Sequence, residues 1–243
     1  MLYWVLRGTL KPLCRALYRI RVEGLENLPP EGPLIIAANH LSFLDSVFIP
    51  ISVPRRKVTY LAKADYFKNP RTRWFFRLAG QIPTERDGGE KSQQALAVAL
   101  DLLASGGSLG IYPEGTRSPD GFVHRGRTGV ARLAISAGTP VVPVGISGTD
   151  EIMPKAARLP RFTGRPEARI RFGAPLDLSR HSGREQDRGV LREATDEIMQ
   201  RITELSGLEY KDEYAATGPA GPPGRTGPAG EDDDGFSDDA LAG

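Results

Sequence analysis

The sequence contains one cysteine, Cys14, which excludes an internal disulfide and fits a reducing compartment. It also lacks any run of about 18 to 20 apolar residues, the length that a membrane-spanning helix needs. The apolar residues 1–6 are followed by Arg7, Lys11 and Arg15, and no cleavage pattern of a secretory signal peptide appears, so we expect no such signal. With 243 residues, the chain can bury the core of one substantial domain without cross-links.

Motifs of two other protein classes are missing as well. Neither G-x-G-x-x-G nor G-x-x-x-x-G-K-[ST] occurs, which argues against a nucleotide-binding α/β domain. No serine or cysteine stands in a nucleophile elbow, because the match of residues 106–110 to G-x-S-x-G leads from a predicted helix into a strand, the reverse of an elbow. A catalytic base in this sequence would therefore act on a hydroxyl group of the substrate itself.

The small formal net charge of +2 conceals an uneven distribution along the chain. Residues 215–243 hold one arginine and six acidic residues, so the excess of cations lies on residues 1–214. A basic body suits an anionic partner, such as nucleic acid or a membrane surface, although basic side chains are also common on ordinary domains. The charge alone does not choose between these partners.

Residues 1–18 combine leucines, aromatic residues and cations and contain no acid. The leucines fall three or four residues apart and would line one face of a helix, with a kink expected at Pro12: Leu6, Leu10, Leu13 and Leu17. Two interpretations remain open, a helix packed on the domain or an interfacial helix with its apolar face among lipid acyl chains. We assign residues 1–18 as an amphipathic, membrane-associating segment.

Short apolar or alternating runs, separated by segments of helical periodicity, predict the secondary structure of the following domain. The predicted strands are residues 19–23, 34–38, 57–62, 108–112, 140–146 and 168–172, the last as an edge or one-sided strand. The predicted helices are one that begins at Ser42 as its N-cap and residues 70–79, 90–105, 127–137 and 185–206. This alternation predicts an α/β fold with a largely parallel central sheet flanked by helices.

The composition changes after Tyr214. Residues 218–230 repeat glycine at every third position, as collagen does, but the repeat is too short for a triple helix, and an acidic end follows. We therefore divide the chain into the segment 1–18, a globular domain at 19–214 and a disordered tail at 215–243.

The most distinctive stretch is Asn39-His40-Leu41-Ser42-Phe43-Leu44-Asp45, which lies between two apolar runs. A neutral imidazole can accept a proton near pH 7, and a carboxylate on its other nitrogen fixes the tautomer and stabilises the imidazolium. On a straight helix, side chains five residues apart point about 140° away from each other. The pair can therefore meet only at a turn, which the predicted loop-to-helix junction supplies. Many His–Asp pairs at this spacing are incidental, so the prediction of a catalytic pair depends on the other segments as well.

Two later segments supply groups that could bind an anionic substrate. Arg86 stands in a polar loop, where its guanidinium could bind a phosphate through two hydrogen bonds or remain a solvated charge. Residues 112–118, Tyr-Pro-Glu-Gly-Thr-Arg-Ser, follow a buried strand, where α/β folds place their sites, although a plain turn also fits them. Gly115 would allow close approach of a ligand, while Glu114 and Arg117 would hold hydroxyl and phosphate groups.

Together these segments resemble the motifs of the glycerolipid acyltransferase family, in particular the 1-acyl-glycerol-3-phosphate acyltransferases. The family pattern N-H-x-S-x-x-D is met by residues 39–45, and the pattern G-x-I-x-x-x-R by residues 80–86. The third pattern, an aromatic residue before P-E-G-T-R-S, is met by residues 112–118, with Tyr112 where phenylalanine is usual. The fourth, V-P-V, is met by residues 142–144. Order and spacing agree over most of the domain.

The resemblance implies transfer of an acyl chain from acyl-CoA or acyl-carrier protein to the sn-2 hydroxyl of 1-acyl-glycerol 3-phosphate (lysophosphatidic acid), giving phosphatidic acid for phospholipid biosynthesis. It makes His40 the base that deprotonates this hydroxyl and Asp45 the carboxylate that orients the base. It assigns the binding of the acceptor and its phosphate to six residues: Lys63, Arg86, Glu114, Gly115, Thr116 and Arg117. It implies no metal, no cofactor beyond the thioester co-substrate, and no nucleic-acid partner.

The acyl chain would need an apolar groove, for which Trp74, Phe75 and Phe76 are candidates, although they would serve equally well in the core. Many members of the family have a long N-terminal hydrophobic hairpin that this sequence lacks, so we expect peripheral attachment to the cytoplasmic face of the cell membrane. Residues 1–18 and 155–165 mix cations with apolar residues and are the predicted contacts with an anionic membrane surface.

Two alternative functions remain open. The same chemistry could act on another acceptor, such as glycerol 3-phosphate, a lysophospholipid or an aminolipid, or the fold could serve as a non-catalytic lipid-binding module. The His–Asp pair argues against the second alternative, because binding alone does not need a base with an orienting carboxylate.

Overall fold

The computed structural model describes residues 2–70, 72–84, 90–157 and 159–216 of the chain. The strands of this part are β1 (Arg19–Glu23), β2 (Leu34–Ala38), β3 (Val58–Lys63), β4 (Ile82–Thr84), β5 (Ser108–Ile111), β6 (Val123–His124), β7 (Val141–Ser147), β8 (Glu167–Phe172) and β9 (Tyr210–Lys211). The α-helices are α1 (Leu2–Leu17), α2 (Asp45–Ser52), α3 (Asp65–Lys68), α4 (Arg73–Leu78), α5 (Glu90–Ala104), α6 (Gly129–Ala137), α7 (Thr149–Ile152) and α8 (Arg188–Ser206).

Seven of these strands form one sheet in the order β1-β8-β7-β2-β5-β3-β4. Neighbouring strands are parallel except β7 and β8, which are antiparallel. In the described part of the link between those two strands, the only α-helix is the four-residue α7, so β8 returns beside β7 without a long crossover helix. The predicted α/β fold with a largely parallel sheet is therefore confirmed. The short strands β6 and β9 pair with each other outside this sheet.

The burial of individual strands follows their sequence patterns. All five residues of β2 are buried, as expected for an apolar run at the centre of a sheet covered on both faces. In β8, buried and more exposed residues alternate, as the one-sided prediction requires. The other prediction for this strand, an edge position, is wrong, because β8 lies between β1 and β7.

Helices cover both faces of the sheet and create two apolar layers. The alternation along β2 sends Leu34, Ile36 and Ala38 into one layer, which includes residues of α1 and α2. It sends Ile35 and Ala37 into the other layer, where α5, α6 and α8 pack. The 19-residue helix α8 begins after Asp187, whose carboxylate caps it by accepting the N–H of Val190 at 3.1 Å.

The N-terminal helix α1 packs on the domain, as one of the two interpretations of its sequence requires, and its contact with a membrane stays a prediction. It continues through Pro12, and its residues Tyr3 and Cys14 are buried against the domain. Four large apolar residues of the same helix are exposed: Leu2, Trp4, Val5 and Leu13. Within the described part of the chain, none of the helices has the length and apolar character to cross a membrane.

The predicted tail falls almost entirely outside the described residues. Of residues 215–243, only Ala215 and Ala216 are described. Ala215 is buried, with 4% of its surface exposed. The packed part of the chain therefore extends at least one residue beyond the predicted boundary at Tyr214.

Candidate active site

The predicted site segments follow the carboxyl ends of adjacent parallel strands. Residues 39–45 follow β2, residues 112–118 follow β5, and Lys63 and Thr84 are the last residues of β3 and β4. Because these four strands are neighbours and run in the same direction, their ends meet at one edge of the sheet. This edge is where open α/β sheets bind their ligands.

His40 and Asp45 are in direct contact. The distance from His40 Nδ1 to Asp45 Oδ2 is 2.9 Å. The backbone turns between the two residues, as the sequence requires, and α2 begins at Asp45 itself. About 16% of the His40 side chain is exposed, against 0% of the Asp45 side chain. A substrate can therefore reach the imidazole, whereas the carboxylate can act only through it.

The loop between the two residues is held by the carboxylate of Asp45. Its Oδ2 also accepts the backbone N–H groups of Leu41 and Ser42, both at 2.8 Å. The prediction that Ser42 is the N-cap is wrong, because α2 begins at Asp45 and its N-cap is Leu44. The Ser42 hydroxyl accepts the N–H of Leu44 at 3.3 Å and donates to the carbonyl of Met153 at 2.8 Å. Asp45, the first residue of α2, is therefore the residue whose side chain holds the turn.

A threonine outside the recognised motifs completes the surroundings of Asp45. Thr149, at the start of α7, donates its hydroxyl to Asp45 Oδ1 at 2.6 Å. Both residues are fully buried, so each carboxylate oxygen needs donors from the protein in place of water. Nothing in the sequence pointed to Thr149, since it follows Asp45 by 104 positions and belongs to no local pattern.

An aromatic ring that stacks on the face of the imidazole also holds it in place. The ring of Tyr112 stacks on His40 with centroids 3.8 Å apart and planes inclined by 8°. The Tyr112 hydroxyl is hydrogen-bonded to Ser46 Oγ at 2.9 Å, and Tyr60 stacks on its other face at 5.3 Å. Gly110 makes room for this second ring, because a Cβ there would lie 2.4 Å from atoms of Tyr60. Burial raises the pKa of Tyr112, so its hydroxyl remains protonated at neutral pH.

Glu114 lies behind the catalytic loop. Only 2% of its surface is exposed, and its two oxygens accept backbone N–H groups, from His40 at 2.9 Å and from His124 at 3.1 Å. Burial raises the pKa of this carboxyl to about 8, against the effect of the two hydrogen bonds. These contacts make Glu114 a support of the His40 backbone. Its predicted contact with the acceptor stays a prediction.

The turn after Glu114 lies against the same loop. Gly115 adopts a positive φ of 75°, and its N–H donates to the carbonyl of Tyr112 at 3.0 Å. Three residues on, Ser118 donates its N–H to the carbonyl of His40 at 2.7 Å. The turn of Gly115, Thr116 and Arg117 thus lies against the backbone of the catalytic loop, and the contact of these residues with the acceptor stays a prediction.

A lysine joins Arg117 beside the catalytic loop. Lys155 Nζ donates to the carbonyl of Arg117 at 2.8 Å. Partial burial and the neighbouring Arg117 guanidinium both lower the pKa of this lysine. We call Arg117 and Lys155 the basic rim. The sequence analysis placed Lys155 only in a predicted membrane contact.

The two remaining predicted cations are described incompletely or not at all. Arg86 lies outside the described residues, and of Lys63 only the main chain is described. The register of the sheet pairs Lys63 with Thr84, two residues before Arg86. The backbone thus brings Lys63 and Thr84 to the same sheet edge as His40, and the contact of Lys63 and Arg86 with a phosphate stays a prediction.

The fourth motif is part of the core. Val142 and Val144 are fully buried in β7, which pairs with β2, so they do not line an open surface. Asn39 reinforces that pairing, because its amide bonds both the N–H and the carbonyl of Ile146 at 2.8 and 2.9 Å. Among the residues described, no group of three or more His, Cys, Asp and Glu side chains could hold a metal ion.

An apolar groove leads away from the catalytic loop. Phe43 lies beside the rings of Phe75 and Phe76, with centroids 6.4 and 6.2 Å apart. Phe76 is buried, whereas Trp74 is largely exposed, so the three predicted groove residues differ in their surroundings. The groove itself runs between α1, α2 and α4 and encloses a cavity of only about 30 Å³. Its lining includes Leu6, Leu10, Val47, Ile51 and Phe75 together with the polar Ser46, Arg7 and Gln81.

Comparison with known proteins decides the family. Residues 19–147, more than half of the chain, match a family model described as Acyltransferase. The chain belongs to the acyltransferase family. The matched residues contain all four sequence motifs, whereas Thr149, Lys155 and the C-terminal helix α8 lie beyond them.

Other members of the acyltransferase family are similar in sequence and structure. A chloroplastic 1-acyl-sn-glycerol-3-phosphate acyltransferase of Arabidopsis thaliana is 35% identical over 138 residues, which is 56% of this chain and 38% of that protein. The 1-acyl-sn-glycerol-3-phosphate acyltransferase of Bacillus subtilis is 26% identical over 190 residues, 76% of this chain and 87% of that protein. The match thus spans well under half of the plant relative.

A solved structure of the family has the same fold. The crystal structure of the 1-acyl-sn-glycerophosphate (LPA) acyltransferase PlsC from Thermotoga maritima superposes with a TM-score of 0.59 at 26% identity. The superposition covers 82% of this chain and 81% of that one. The similarity therefore extends beyond the matched family segment to most of the packed chain.

Proposed function

We propose that this acyltransferase moves an acyl chain from a thioester, acyl-CoA or acyl-carrier protein, to the sn-2 hydroxyl of lysophosphatidic acid, giving phosphatidic acid for phospholipid biosynthesis. The observation that carries the proposal is the 2.9 Å contact between His40 Nδ1 and Asp45 Oδ2 at the ligand-binding edge of the sheet. The names of the relatives from Arabidopsis, Bacillus and Thermotoga support this choice of acceptor. The reaction needs no metal and no cofactor besides the thioester.

The proposed reaction begins with proton transfer to the imidazole. Asp45 holds Nδ1–H, so Nε2 of His40 takes the proton of the acceptor hydroxyl while its oxygen attacks the thioester carbonyl carbon. The resulting tetrahedral intermediate collapses, the C–S bond breaks, and the thiol leaves with the proton from the imidazolium. During this cycle Asp45 and the face of Tyr112 stabilise the imidazolium cation.

The phosphate of the acceptor would lie at the basic rim. Arg117 and Lys155 stand beside the catalytic loop and form a cationic surface close to His40, whose carbonyl accepts the N–H of Ser118 directly after Arg117. Arg86 and Lys63 are proposed to approach the same phosphate from the ends of β4 and β3. Gly115 and Thr116 would contact the glycerol end of the acceptor.

The acyl chain would enter the groove between α1, α2 and α4, which has to widen to admit it, because its cavity of about 30 Å³ has the volume of about one water molecule. This groove is lined by Leu6, Leu10 and Phe75 and reaches Ser46, whose hydroxyl touches the ring stacked on His40. A chain lying there would have its carboxyl end near the imidazole and its methyl end toward α1. Phe75 lines the groove and Trp74 is exposed, which supports Phe75 as the member of the aromatic cluster proposed to contact the chain.

We also propose that the protein works at the cytoplasmic face of the cell membrane as a peripheral protein. Several exposed large apolar residues lie on α1, among them Trp4, Val5 and Leu13. Phe162 belongs to the same surface, since its ring lies 6.4 Å from that of Tyr18 at the end of α1. Arginines of α1 and of the adjacent loop would face anionic headgroups.

Thiol release tests the catalytic proposal. The purified protein should release CoA thiol from acyl-CoA when lysophosphatidic acid is present and much more slowly without it. His40→Ala should abolish this release, while His181→Ala, which removes a histidine far along the chain in a short 3-10 turn, should retain it. Undiminished turnover by folded His40→Ala protein would refute the mechanism.

The same assay separates the alternative acceptors. Glycerol 3-phosphate, a lysophospholipid with an esterified phosphate and an aminolipid should each be poorer substrates than lysophosphatidic acid. A higher kcat/KM for any of them would replace the acceptor in the proposal and keep the chemistry. Absence of thiol release with every acceptor would favour the lipid-binding module instead.

Vesicle co-sedimentation tests the membrane proposal. Replacing Val5 and Leu13 by serine removes exposed apolar surface but leaves the buried Tyr3 and Cys14 of the same helix intact. The variant should bind phosphatidylglycerol vesicles more weakly than the unchanged protein and should keep its melting temperature. Equal binding of the two proteins would exclude this face of α1 from the membrane contact.

A further inference from the structure

The chain after α8 returns to the neighbourhood of the active site. We call residues 208–216 the C-terminal strap. Its strand β9 pairs in parallel with β6, and the N–H groups of Val123 and Arg125 donate to the carbonyls of Glu209 and Glu213 at 2.9 and 3.0 Å. The strap lies beyond residues 19–147, which match the family model.

Side chains fasten the strap to the segment that follows the Glu114 turn. The contacts of the Asp120 carboxylate include Lys211 of the strap and His124 Nε2, the latter at 2.8 Å. The other ring nitrogen of His124 lies 3.3 Å from the carbonyl of Glu213. Although partial burial acts in the opposite direction, the hydrogen bonds from Lys211 and His124 lower the pKa of Asp120 to about 2. Asp120 is therefore ionised and engaged throughout the physiological range.

Aromatic contacts add to this attachment. The ring of Tyr214 lies beneath the guanidinium carbons of Arg125 and Arg127, at 5.4 and 5.2 Å. The N–H of Arg127 donates to the carbonyl of Pro113, directly before Glu114, at 2.8 Å. The strap thus contacts the segment from Pro113 to Arg127 through its main chain, through Lys211 and through the ring of Tyr214.

A continuous series of hydrogen bonds joins the strap to the base. Asp120 and Glu213 fix His124, whose backbone N–H donates to Glu114 Oε2 at 3.1 Å. The other oxygen of Glu114 accepts the N–H of His40 at 2.9 Å. His124 and Glu114 are each only 2% exposed, so water does not substitute for either contact.

We propose that the C-terminal strap positions His40 for catalysis and that Lys211 and Asp120 are positioning residues acting through His124 and Glu114. The inference rests on the proposed function, in which His40 is the base. A displacement of about 1 Å at a reacting group can lower the rate on the order of 100-fold, so loosening a support three contacts away from His40 has a measurable effect. An ion pair as exposed as Lys211–Asp120 contributes little to stability, which lets the two effects be separated.

Kinetics of full-length variants test the proposal. Lys211→Met should lower kcat about 10-fold, with the KM values for both substrates changed by less than about twofold and the melting temperature nearly unchanged. Lys211→Arg should restore kcat, because the guanidinium can also pair with Asp120. Arg201→Met is the matched control, since it removes an exposed ion pair with Glu204 on α8 that has no described contact with the strap; its kcat should be normal.

A double-mutant cycle sharpens the test. Asp120→Asn should lower kcat in the same way, and Lys211→Met combined with Asp120→Asn should be no worse than the more impaired single variant, because both act through one contact. Any of three results would overturn the inference: wild-type kcat in Lys211→Met, an equal loss of kcat in Arg201→Met, or fully additive losses of kcat in the double variant. His40→Ala is measured alongside: its retention of turnover would refute the proposed function, whereas an inactive His40→Ala beside a normal Lys211→Met would refute the strap alone.

Discussion

Removal of the Thr149 hydroxyl tests how the catalytic carboxylate is held. The hydroxyl donates to Asp45 Oδ1 at 2.6 Å, and Asp45 and Thr149 are both fully buried. Thr149→Val replaces the hydroxyl by a methyl group and keeps the branched shape of the side chain. Oδ1 would lose this donor, while Oδ2 would keep His40, Leu41 and Ser42.

The size of the effect follows from the charge and burial of the acceptor. A hydrogen bond to a charged group contributes about 1.5–3 kcal/mol, so Thr149→Val should lower the free energy of unfolding by about 2 kcal/mol. For a domain of this size, that loss corresponds to a melting temperature lower by about 4–8 °C. Asp45 would still contact His40, so we expect kcat to fall only about 10-fold, far less than in His40→Ala.

Thermal unfolding followed by circular dichroism measures the first quantity, and thiol release from acyl-CoA measures the second. Thr149→Ser is the control, because it keeps the donor and removes only the methyl group. The serine variant should therefore retain most of the activity. Wild-type melting and turnover in Thr149→Val, or equal losses in the serine variant, would refute the argument that the hydroxyl supports the carboxylate.

Three further perturbations address other supports of the site. Tyr112→Phe keeps the ring stacked on the imidazole and loses the hydroxyl that contacts Ser46, so its kcat should fall less than about threefold, whereas Tyr112→Leu should lose about 10-fold in the thiol assay. Asn39→Ala removes two buried bonds to Ile146 and should cost about 2 kcal/mol in urea denaturation. Burial raises the pKa of Glu114 to about 8 from its ordinary 4.5, so the folded protein keeps a proton that the unfolded chain loses. The contribution of this proton to the free energy of unfolding is therefore complete below pH 4.5 and is lost as the pH rises through 8. In Glu114→Gln, the urea midpoint should change less with pH over this window.

The fold could be predicted where strand signals are local. The apolar run of β2 and the alternation in β8 each identify a strand from a few consecutive residues, and the loops after parallel strands place the motifs at one edge. The antiparallel return of β8 could not be predicted in the same way, because the chain between β7 and β8 carries no periodic pattern. The two-residue strands β6 and β9 are too short for a sequence signal.

In the site, too, contacts between residues close in sequence could be predicted, and contacts between distant residues could not. His40 and Asp45 are close in sequence, so their spacing, the expected turn and the accompanying motifs together predicted their contact. The hydroxyl of Ser42 was assigned to the helix and instead bonds Met153, which is 111 positions away. Thr149, Ser46 and His124 likewise act through partners in distant segments. Such pairings are set by tertiary packing, which no local pattern contains.

The catalytic loop is fixed by contacts with several different elements. The side chain of Asn39 is bonded to β7, both backbone polar groups of His40 are bonded to the segment after β5, and Asp45 is bonded to α7. Moving the loop as a unit would break all these contacts together, and most of them are buried, so water would not replace them. A base held in this way is already oriented before the substrate binds, which is the condition for efficient proton transfer. We therefore expect lysophosphatidic acid to adjust to a rigid imidazole, and we expect the adjustable parts of the site to lie at the basic rim and along the groove beneath α1.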